Sequence, residues 1–395
     1  MRIVFTVIGN SRRSNYLNGD TLRYQGGGGS GTDTSSIVVA EYLASQGHEV
    51  VFVTEELEPK LEEIYKSLGR DNTPGKKVRG VIYTNLNFDG VENKEFDILI
   101  NSLWFSKYKE LPITVTKALI YWNHMQWIYG IQEMIDYSKE NNLKLGFVNI
   151  SEWEKKMNQG VIDTTKNFIP DLKQTLIPNP IMEDIINEVL EINPTRKKHK
   201  FIFHAAWARG GNVAIEAVRQ LNYPDTEFHA FDYLMATHSH KDLFFKMYNG
   251  VDKKTLFTHL AESDYFIYPL YTPYQDVHKD TFSCVVAEAI ALGAICLTYP
   301  LGALPENFDG YCVWLDTPPN SKPFEEMQKE SLSKDLEGVY KHTDHIVEKI
   351  KYLEANPQVK EELRQKGKQY ILDKFNSNKI GSMWIDFIKQ LIDED

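Results

Sequence analysis

The hydrophobic residues of the first half of the chain fall into short continuous runs. These runs are IVFTVIG (3–9), FDILINSL (96–103), KALIYWNH (117–124) and LGFVNIS (145–151). Compact runs rich in β-branched residues are typical of strands buried on both faces of a sheet. Because the intervening stretches are long enough for crossover helices, the pattern predicts a doubly wound, parallel α/β domain.

The same theme returns after a break. Residues 176–200 hold three prolines, a short acidic helix and a basic patch. Prolines and clustered charges between apolar segments favour a domain boundary, which we place after residue 180. The apolar runs of the second half are KFIFHAA (200–206), EFHAFD (227–232), YFIYPL (265–270), AICLTYP (294–300) and YCVWL (311–315). Between the first two runs, a helix is predicted over 211–221. These elements predict a second α/β domain over 181–379, followed by a break at NSNKIG and an amphipathic helix over 382–392.

Composition narrows the class of protein. A chain of 395 residues is longer than one hydrophobic core usually serves, and 42% hydrophobic with 25% charged residues is ordinary for a globular protein. The net charge of -11 argues against nucleic acid as a partner. The three cysteines lack metal-site spacing, and no stretch is apolar enough to span a bilayer. We expect a cytoplasmic protein without a metal cage or stable membrane insertion.

A glycine-rich loop precedes the first predicted helix in GGGGSGTDTSSIVVAEYLASQGHEVVFVTE (26–55). Bare backbone before a helix can approach a bound anion, although a flexible loop explains the glycines equally well. Glu55 and Glu56 lie where an NAD site would have its acid. The loop over 10–25 is much longer than a dinucleotide-binding turn, which disfavours a dehydrogenase.

Two segments of the second half join a strand to a helix through charged residues. In HAAWARGGNVAIEA (204–217), Arg209 precedes two glycines, an arrangement that suits a diphosphate, although a lone arginine is more often a solvated surface residue. In DTFSCVVAEAIALGAICLTYPLGALPE (280–306), a helix is predicted to begin near Thr281. That helix would direct Asp280 and Glu288 toward one cleft; the alternative is a capping Asp280 and an exposed Glu288.

Together these segments resemble the retaining GT-B glycosyltransferases of family four, also called group one. The resemblance covers nearly the whole chain and includes the glycine loop, WNH (122–124), VNISEW (148–153), IPNP (177–180), the Arg-Gly segment, SDYFIYPL (263–270), the acid-x7-acid pattern of 280–288 and Gly-x-x-Pro-Glu at 302–306. It implies a GT-B fold of two Rossmann-like domains facing a central cleft. It also implies a C-terminal helix (380–395) that crosses back to the first domain.

The resemblance implies a role for each donor-side residue. Asp280 would approach hydroxyls of the donor sugar and Glu288 would hold the ribose. Thr281, Phe282 and Ser283 would offer backbone N–H groups to the donor.

Three further positions take roles from the resemblance. Arg209 would neutralise the leaving phosphate, and His124 would lie near the reacting sugar. Gly28 and Gly29 would let the first domain close over the donor. The predicted catalytic residues are therefore Asp280, Arg209 and His124.

Two positions depart from the family pattern. Asp280 stands where the family usually has Glu, and the family's second phosphate cation falls near His204, so that charge is lost or supplied elsewhere. The implied activity is metal-independent, retaining transfer of a hexose from a UDP- or GDP-sugar to a hydroxyl of a glycan or glycoconjugate. No cofactor is expected beyond the nucleotide diphosphosugar. The alternatives are a catalytically idle nucleotide-sugar-binding protein and, ranked lower, a sugar-nucleotide epimerase.

Overall fold

The structure is a computed structural model, and it describes residues 1–8, 18–26, 29–54, 73–105, 111–232, 243–270, 279–315 and 336–392. The chain divides into two compact units. Unit 1 comprises Met1–Met182 and Phe375–Asp395, and unit 2 comprises Glu183–Lys374. Unit 1 is therefore built from two separate stretches of sequence.

The strands of the described residues are named in chain order. They are β1 (Arg2–Ile8), β2 (Glu49–Val53), β3 (Lys76–Val78), β4 (Val81–Thr84), β5 (Glu95–Leu103), β6 (Thr114–Trp122), β7 (Lys144–Asn149), β8 (Lys173–Leu176), β9 (Lys200–His204), β10 (Glu227–Asp232), β11 (Phe245–Asn249), β12 (Tyr265–Tyr268), β13 (Ile295–Thr298) and β14 (Val313–Trp314).

The α-helices of the described residues are named in the same way. They are α1 (Gly31–Ser45), α2 (Ile131–Glu140), α3 (Glu152–Lys166), α4 (Glu183–Ile192), α5 (Gly211–Leu221), α6 (Lys253–Glu262), α7 (Cys284–Ala291), α8 (Leu304–Phe308), α9 (Leu336–Ala355), α10 (Pro357–Lys374) and α11 (Ser377–Ile392).

Each unit holds one sheet. In unit 1 the strand order is β3-β4-β2-β1-β5-β6-β7-β8, and the described pairings are parallel except for β3 with β4. In unit 2 the order is β11-β10-β9-β12-β13-β14, with parallel pairing throughout. Strand order reverses beside β1 in the first sheet and beside β9 in the second, as in doubly wound folds.

The last helix belongs to the core of unit 1. Trp384 of α11 is fully buried, and its ring centroid lies 4.6 Å from that of Trp122 at the end of β6. A Cβ atom on Gly146 of β7 would lie 2.9 Å from the Leu391 side chain and 3.0 Å from that of Phe387. The small residue therefore lets α11 approach the sheet closely.

Three details differ from the sequence prediction. Helix α7 begins at Cys284, not near Thr281. The break before the last helix falls at residues 375–376, and α11 begins at Ser377 because the Asn376 side chain accepts a hydrogen bond from the Lys379 N–H at 2.8 Å. The strands β3, β4, β8 and β11 were not predicted; they are only three to five residues long, and β3, β8 and β11 are not continuous apolar runs.

Candidate functional site

The carboxyl ends of the central strands of unit 2 meet at one edge of its sheet. β9 ends at His204, β10 at Asp232 and β12 at Tyr268, and these strands run parallel. In open α/β sheets, ligands bind at this edge, close to the point where strand order reverses. The residues that follow these strands are therefore candidate ligand-binding residues.

A tight turn after β9 positions Arg209. A short 3-10 helix, Trp207–Arg209, leads into Gly210, whose φ of 112° is strained for any residue with a side chain. A Cβ atom on Gly211 would lie 2.4 Å from the Trp207 ring. The backbone N–H of Trp207 also donates to Asp232 Oδ2 at 3.3 Å. The paired glycines are thus required for the turn itself.

Arg209, Asp280 and Tyr268 form a closed triangle of hydrogen bonds. Arg209 Nη1 donates to Asp280 Oδ1 at 3.0 Å and to the Tyr268 hydroxyl at 3.0 Å, and that hydroxyl donates to Asp280 Oδ2 at 2.9 Å. Burial raises the pKa of Tyr268, and the charge of Asp280 raises it further, so the phenol stays protonated. The Arg209 side chain is 36% exposed and that of Asp280 is 11% exposed. The triangle therefore presents its cation to solvent.

The backbone of Asp280 is fixed by the Gly-x-x-Pro-Glu segment. The Ala303 N–H donates to the Asp280 carbonyl at 2.8 Å. Gly302 has a φ of 62°, and a Cβ atom there would lie 2.3 Å from the same carbonyl oxygen. The glycine is needed because two backbone segments approach too closely to admit a side chain.

The turn between Asp280 and α7 differs from the predicted helix. Ser283 has a φ of 73°, in the left-handed region, and its Oγ is buried with no hydrogen-bond partner among the described residues. Phe282 is buried against Phe308, with ring centroids 5.9 Å apart. Thr281 lies before the helix in a half-buried bend, so the prediction that the helix begins near Thr281 is wrong. The left-handed backbone conformation is costly for a residue other than glycine, and such residues cluster at functional sites.

Glu288 is fully buried and paired with a lysine that the sequence analysis missed. Lys253 Nζ donates to both carboxylate oxygens, at 2.7 and 2.9 Å. The side chains are 6% and 1% exposed for Lys253 and Glu288 respectively. Burial raises the pKa of Glu288, and the charge of Lys253 opposes that rise. Lys253 is the first residue of α6, where a cation is unfavourable for the helix dipole, and this was the available clue.

The positions of the two acids rule out the alternative of a capping Asp280 and an exposed Glu288. Asp280 does not cap α7, whose N-cap residue is Ser283, and Glu288 is not an exposed charge. The structure brings Arg209 and Asp280 together, while Glu288 meets Lys253.

His204 carries no positive charge at neutral pH. It is 9% exposed, its Nδ1 lies 3.1 Å from the Phe231 carbonyl oxygen, and burial lowers its pKa to about 4, with a further contribution from the charge of Lys253. A neutral imidazole cannot replace the second phosphate cation of the family pattern. Lys253, whose charge contributes to this lowering, belongs to a different element, α6.

In unit 1, His124 follows β6 and is 8% exposed. Its ring lies 4.6 Å from that of Trp122, and burial lowers its pKa to about 3, so the imidazole is neutral. Gly29 is described and precedes Ser30, the N-cap of α1, whereas Gly28 lies outside the described residues.

The N-terminus of α1 has its own anionic partner. Ser30 and Asp33 form a capping box, in which Asp33 Oδ2 accepts hydrogen bonds from the Ser30 N–H at 2.8 Å and from its hydroxyl at 2.6 Å. The carboxylate of Asp33 therefore already offsets the positive end of this helix.

Exposed aromatic side chains follow the carboxyl ends of two neighbouring strands of unit 1. Trp104, after β5, is 45% exposed, and Trp127, after β6, is 52% exposed. The Trp104 ring stacks on Tyr129, with centroids 5.3 Å apart and planes 23° apart. Large exposed aromatic groups at a ligand-binding edge are a feature of interaction surfaces.

Comparison with known proteins adds similarity of fold. The chain matches no protein-family model and no curated protein. It is similar over 100% of both chains to sucrose-phosphate synthase from Thermosynechococcus elongatus, with a TM-score of 0.65 and 12% identity. HepE from Anabaena, in complex with UDP-glucose, has a TM-score of 0.55 and 12% identity, covering 99% of this chain and 100% of that one. An alpha-glucosyltransferase, in complex with UDP-glucose and DNA containing an abasic site, has a TM-score of 0.56 and 11% identity, covering 98% and 99%.

These similarities define the class of fold. The chain has the GT-B fold of glycosyltransferases, with two Rossmann-like domains that each contain a parallel sheet. The predicted fold class is confirmed to this extent. Within the described residues, no helix combines the length and the apolar character needed to cross a membrane.

Proposed function

We propose that the chain is a retaining, metal-independent glycosyltransferase that moves a hexose from a UDP- or GDP-sugar to an acceptor hydroxyl. The observation that carries the proposal is the ion pair of Arg209 and Asp280 at the carboxyl edge of the unit 2 sheet, directly before α7. These are the two positions to which the resemblance assigns the leaving phosphate and the donor sugar. The fold that places them is shared with structures that were solved with UDP-glucose.

Arg209 is suited to the leaving group. Its side chain is 36% exposed, and its guanidinium is always charged and can form charge-assisted hydrogen bonds to a diphosphate. As the bond between the anomeric carbon and the phosphate oxygen breaks, negative charge develops on that oxygen, and a fixed cation lowers the energy of this state. The N-terminus of α7, which begins shortly after Asp280 in the sequence, adds a positive dipole.

Asp280 is proposed to orient the donor sugar by accepting hydrogen bonds from its hydroxyls. Retention requires the acceptor oxygen to bond to the anomeric carbon on the face that the diphosphate leaves. The acceptor proton passes to the departing phosphate oxygen, so no separate base is needed. His124 is neutral in the structure and is proposed to contact the reacting sugar as a hydrogen-bonding group rather than as a cation.

The acceptor is proposed to be a glycan or glycoconjugate in the cytoplasm. The aromatic groups Trp104, Trp127 and Tyr129 support this choice, since their faces offer apolar area to a sugar ring. The net charge of -11 supports a partner other than nucleic acid.

A second candidate function is a nucleotide-sugar-binding protein without catalysis. The observation that favours it is the same triangle, in which Asp280 and Tyr268 already occupy Arg209. A guanidinium held in this way must exchange partners before it meets a phosphate.

The deciding experiment measures release of free UDP and GDP from a panel of nucleotide sugars in EDTA, with a set of simple glycan acceptors. We expect release from one donor, and its loss in Arg209→Ala and Glu288→Ala. Arg219→Ala is the matched control, because Arg219 is an exposed arginine of unit 2 paired with Glu216 on α5.

The other outcomes are informative. Nucleotide binding with no release across the panel favours the idle protein. Release that requires added Mg²⁺ contradicts metal independence. A product whose anomeric proton coupling, measured by NMR, shows inverted configuration contradicts retention.

A further inference from the structure

The buried pair of Lys253 and Glu288 has no account in the resemblance, which assigns a role to Glu288 alone. Lys253 opens α6 and Glu288 lies in the middle of α7, so the pair joins two helices that follow different strands. Both carboxylate oxygens accept from the same ammonium group, at 2.7 and 2.9 Å. Each oxygen keeps one lone pair that this contact does not use.

Stability does not explain the pair. Burying two charges costs about as much desolvation as their attraction returns, and an apolar pair of similar size is often equally stable. Lys253 also begins its helix, where a cation is opposed by the helix dipole. The role of this lysine is therefore sought in its effect on the Glu288 carboxylate, to which it donates both hydrogen bonds.

Without Lys253, Glu288 would be a poor acceptor. Its side chain is 1% exposed and burial raises its pKa, which favours a neutral carboxylic acid. A protonated carboxyl group has one donor and can rotate, whereas a carboxylate held by one ammonium has two fixed acceptors. Adjacent hydroxyls on a ribose would be matched by the second arrangement.

We propose that Lys253 is a positioning residue for the nucleotide, which holds the Glu288 carboxylate ionised and oriented to accept the ribose hydroxyls of the donor. The inference rests on the proposed function and deepens it, because it identifies how this chain distinguishes a ribonucleotide.

The test compares the Kd of UDP with that of 2′-deoxy-UDP by isothermal titration calorimetry, and repeats the comparison with GDP and 2′-deoxy-GDP. For the wild-type protein we expect the ribonucleotide to bind at least about tenfold more tightly, the size of a hydrogen bond to a charged group. In Lys253→Met this ratio should fall to within about twofold, because Glu288 no longer presents two fixed acceptors.

Three variants separate positioning from folding and from phosphate binding. Lys254→Met is the matched control, since Lys254 is the next residue, 38% exposed and paired with Glu188, and it should leave both Kd values unchanged. Arg209→Ala should weaken both nucleotides equally and keep the ratio. If Lys253→Met does not fold, Lys253→Gln, which keeps a hydrogen-bond donor without the charge, should show the same loss of ratio.

Two results overturn the inference. One is a wild-type protein that binds UDP or GDP and its 2′-deoxy form equally. The other is a Lys253→Met variant, or Lys253→Gln in its place, that keeps the full ratio. In both cases the donor panel can still succeed, which leaves the proposed function standing. If neither nucleotide binds the wild-type protein, the proposed function and the inference fail together.

Discussion

At the scale of single residues, the Tyr268 hydroxyl is the link between the two charged groups of the candidate site. It accepts from Arg209 at 3.0 Å and donates to Asp280 at 2.9 Å, and its side chain is 1% exposed. Asp280 is one methylene shorter than the glutamate that the family usually has at this position. A third group that holds the shorter carboxylate fixes its place, so Tyr268 acts as a positioning residue.

Tyr268→Phe should lower kcat for sugar transfer by about tenfold and change KM little, because each charged partner loses one hydrogen bond in a partly buried site. The measurement is steady-state nucleotide release with the donor that the panel identifies. Tyr265→Phe is the control: Tyr265 lies on the same strand and donates to Glu354. It should cost about 1–2 kcal/mol of stability and leave kcat unchanged. Equal kcat in both variants would contradict the role of Tyr268.

The sequence predicted Arg209 and Asp280 but not Tyr268 or Lys253, and the reason is physical. Arg209 and Asp280 belong to local patterns of charge and glycine that can be seen within a few residues. Tyr268 and Lys253 acquire their importance from partners 59 and 35 positions away, Arg209 and Glu288 respectively. Contacts at that separation depend on which strands are neighbours, which the spacing of apolar residues does not specify.

At the scale of elements, two backbone segments create the site by their close approach. Gly302 lies against the Asp280 carbonyl, so the loop before α8 and the loop before α7 hold each other in place. The left-handed Ser283 ends this second loop and delays the start of α7. A positive φ at serine is not foreseen from sequence, and for this reason the predicted helix began three residues too early.

Gly302→Ala should lower both stability and turnover. Its new Cβ would lie 2.3 Å from the Asp280 carbonyl oxygen and must displace it, in addition to the cost of a left-handed alanine. We expect a loss of about 2–4 kcal/mol in urea unfolding and at least a tenfold loss of transfer. Gly310→Ala is matched: its φ is 81°, yet nothing lies within 4 Å of the added atom. That variant should lose about 1–2 kcal/mol and keep its turnover. A Gly302→Ala protein no worse than Gly310→Ala would refute the close-approach argument.

Edge strands show where the apolar pattern stops being informative. β11 is half-exposed along its length, so its sequence FKMYN lacks the continuous apolar run that identifies β9, β10 and β12. The central strands were predicted because both of their faces are buried. Prediction succeeded for the central strands that are buried on both faces and for β14, and it failed for the short strands β3, β4, β8 and β11.

At the scale of the whole molecule, both units bury neutral histidines. Burial is the main cause that lowers the pKa of His124 to about 3, of His204 to about 4, of His229 to about 3 and of His259 to about 4. The unfolded chain takes up protons below about pH 6.5, whereas the folded units resist protonation until much lower pH. Their stability is therefore complete above pH 6.5 and is lost progressively as the pH falls toward 4.

Urea unfolding at pH 7, 6 and 5 should show this loss. Each histidine is expected to contribute about 1–2 kcal/mol between pH 7 and pH 5. His229→Phe removes one titrating ring from a site that is 2% exposed, and should reduce the pH dependence of unit 2 while leaving that of unit 1 unchanged. A pH dependence of unit 2 that is identical in wild-type and variant proteins would show that His229 takes no part.

The discontinuous sequence of unit 1 has a consequence for synthesis on the ribosome. A growing chain emerges from its N-terminus, so all eight strands of the first sheet are made long before α11. Until residues 377–392 follow, Trp122 lacks its ring partner Trp384, and the groove over Gly146 is bare. Unit 2 is translated completely within this interval. There is thus a stage of synthesis at which all residues of unit 2 have been translated, while unit 1 still lacks the helix that completes its core.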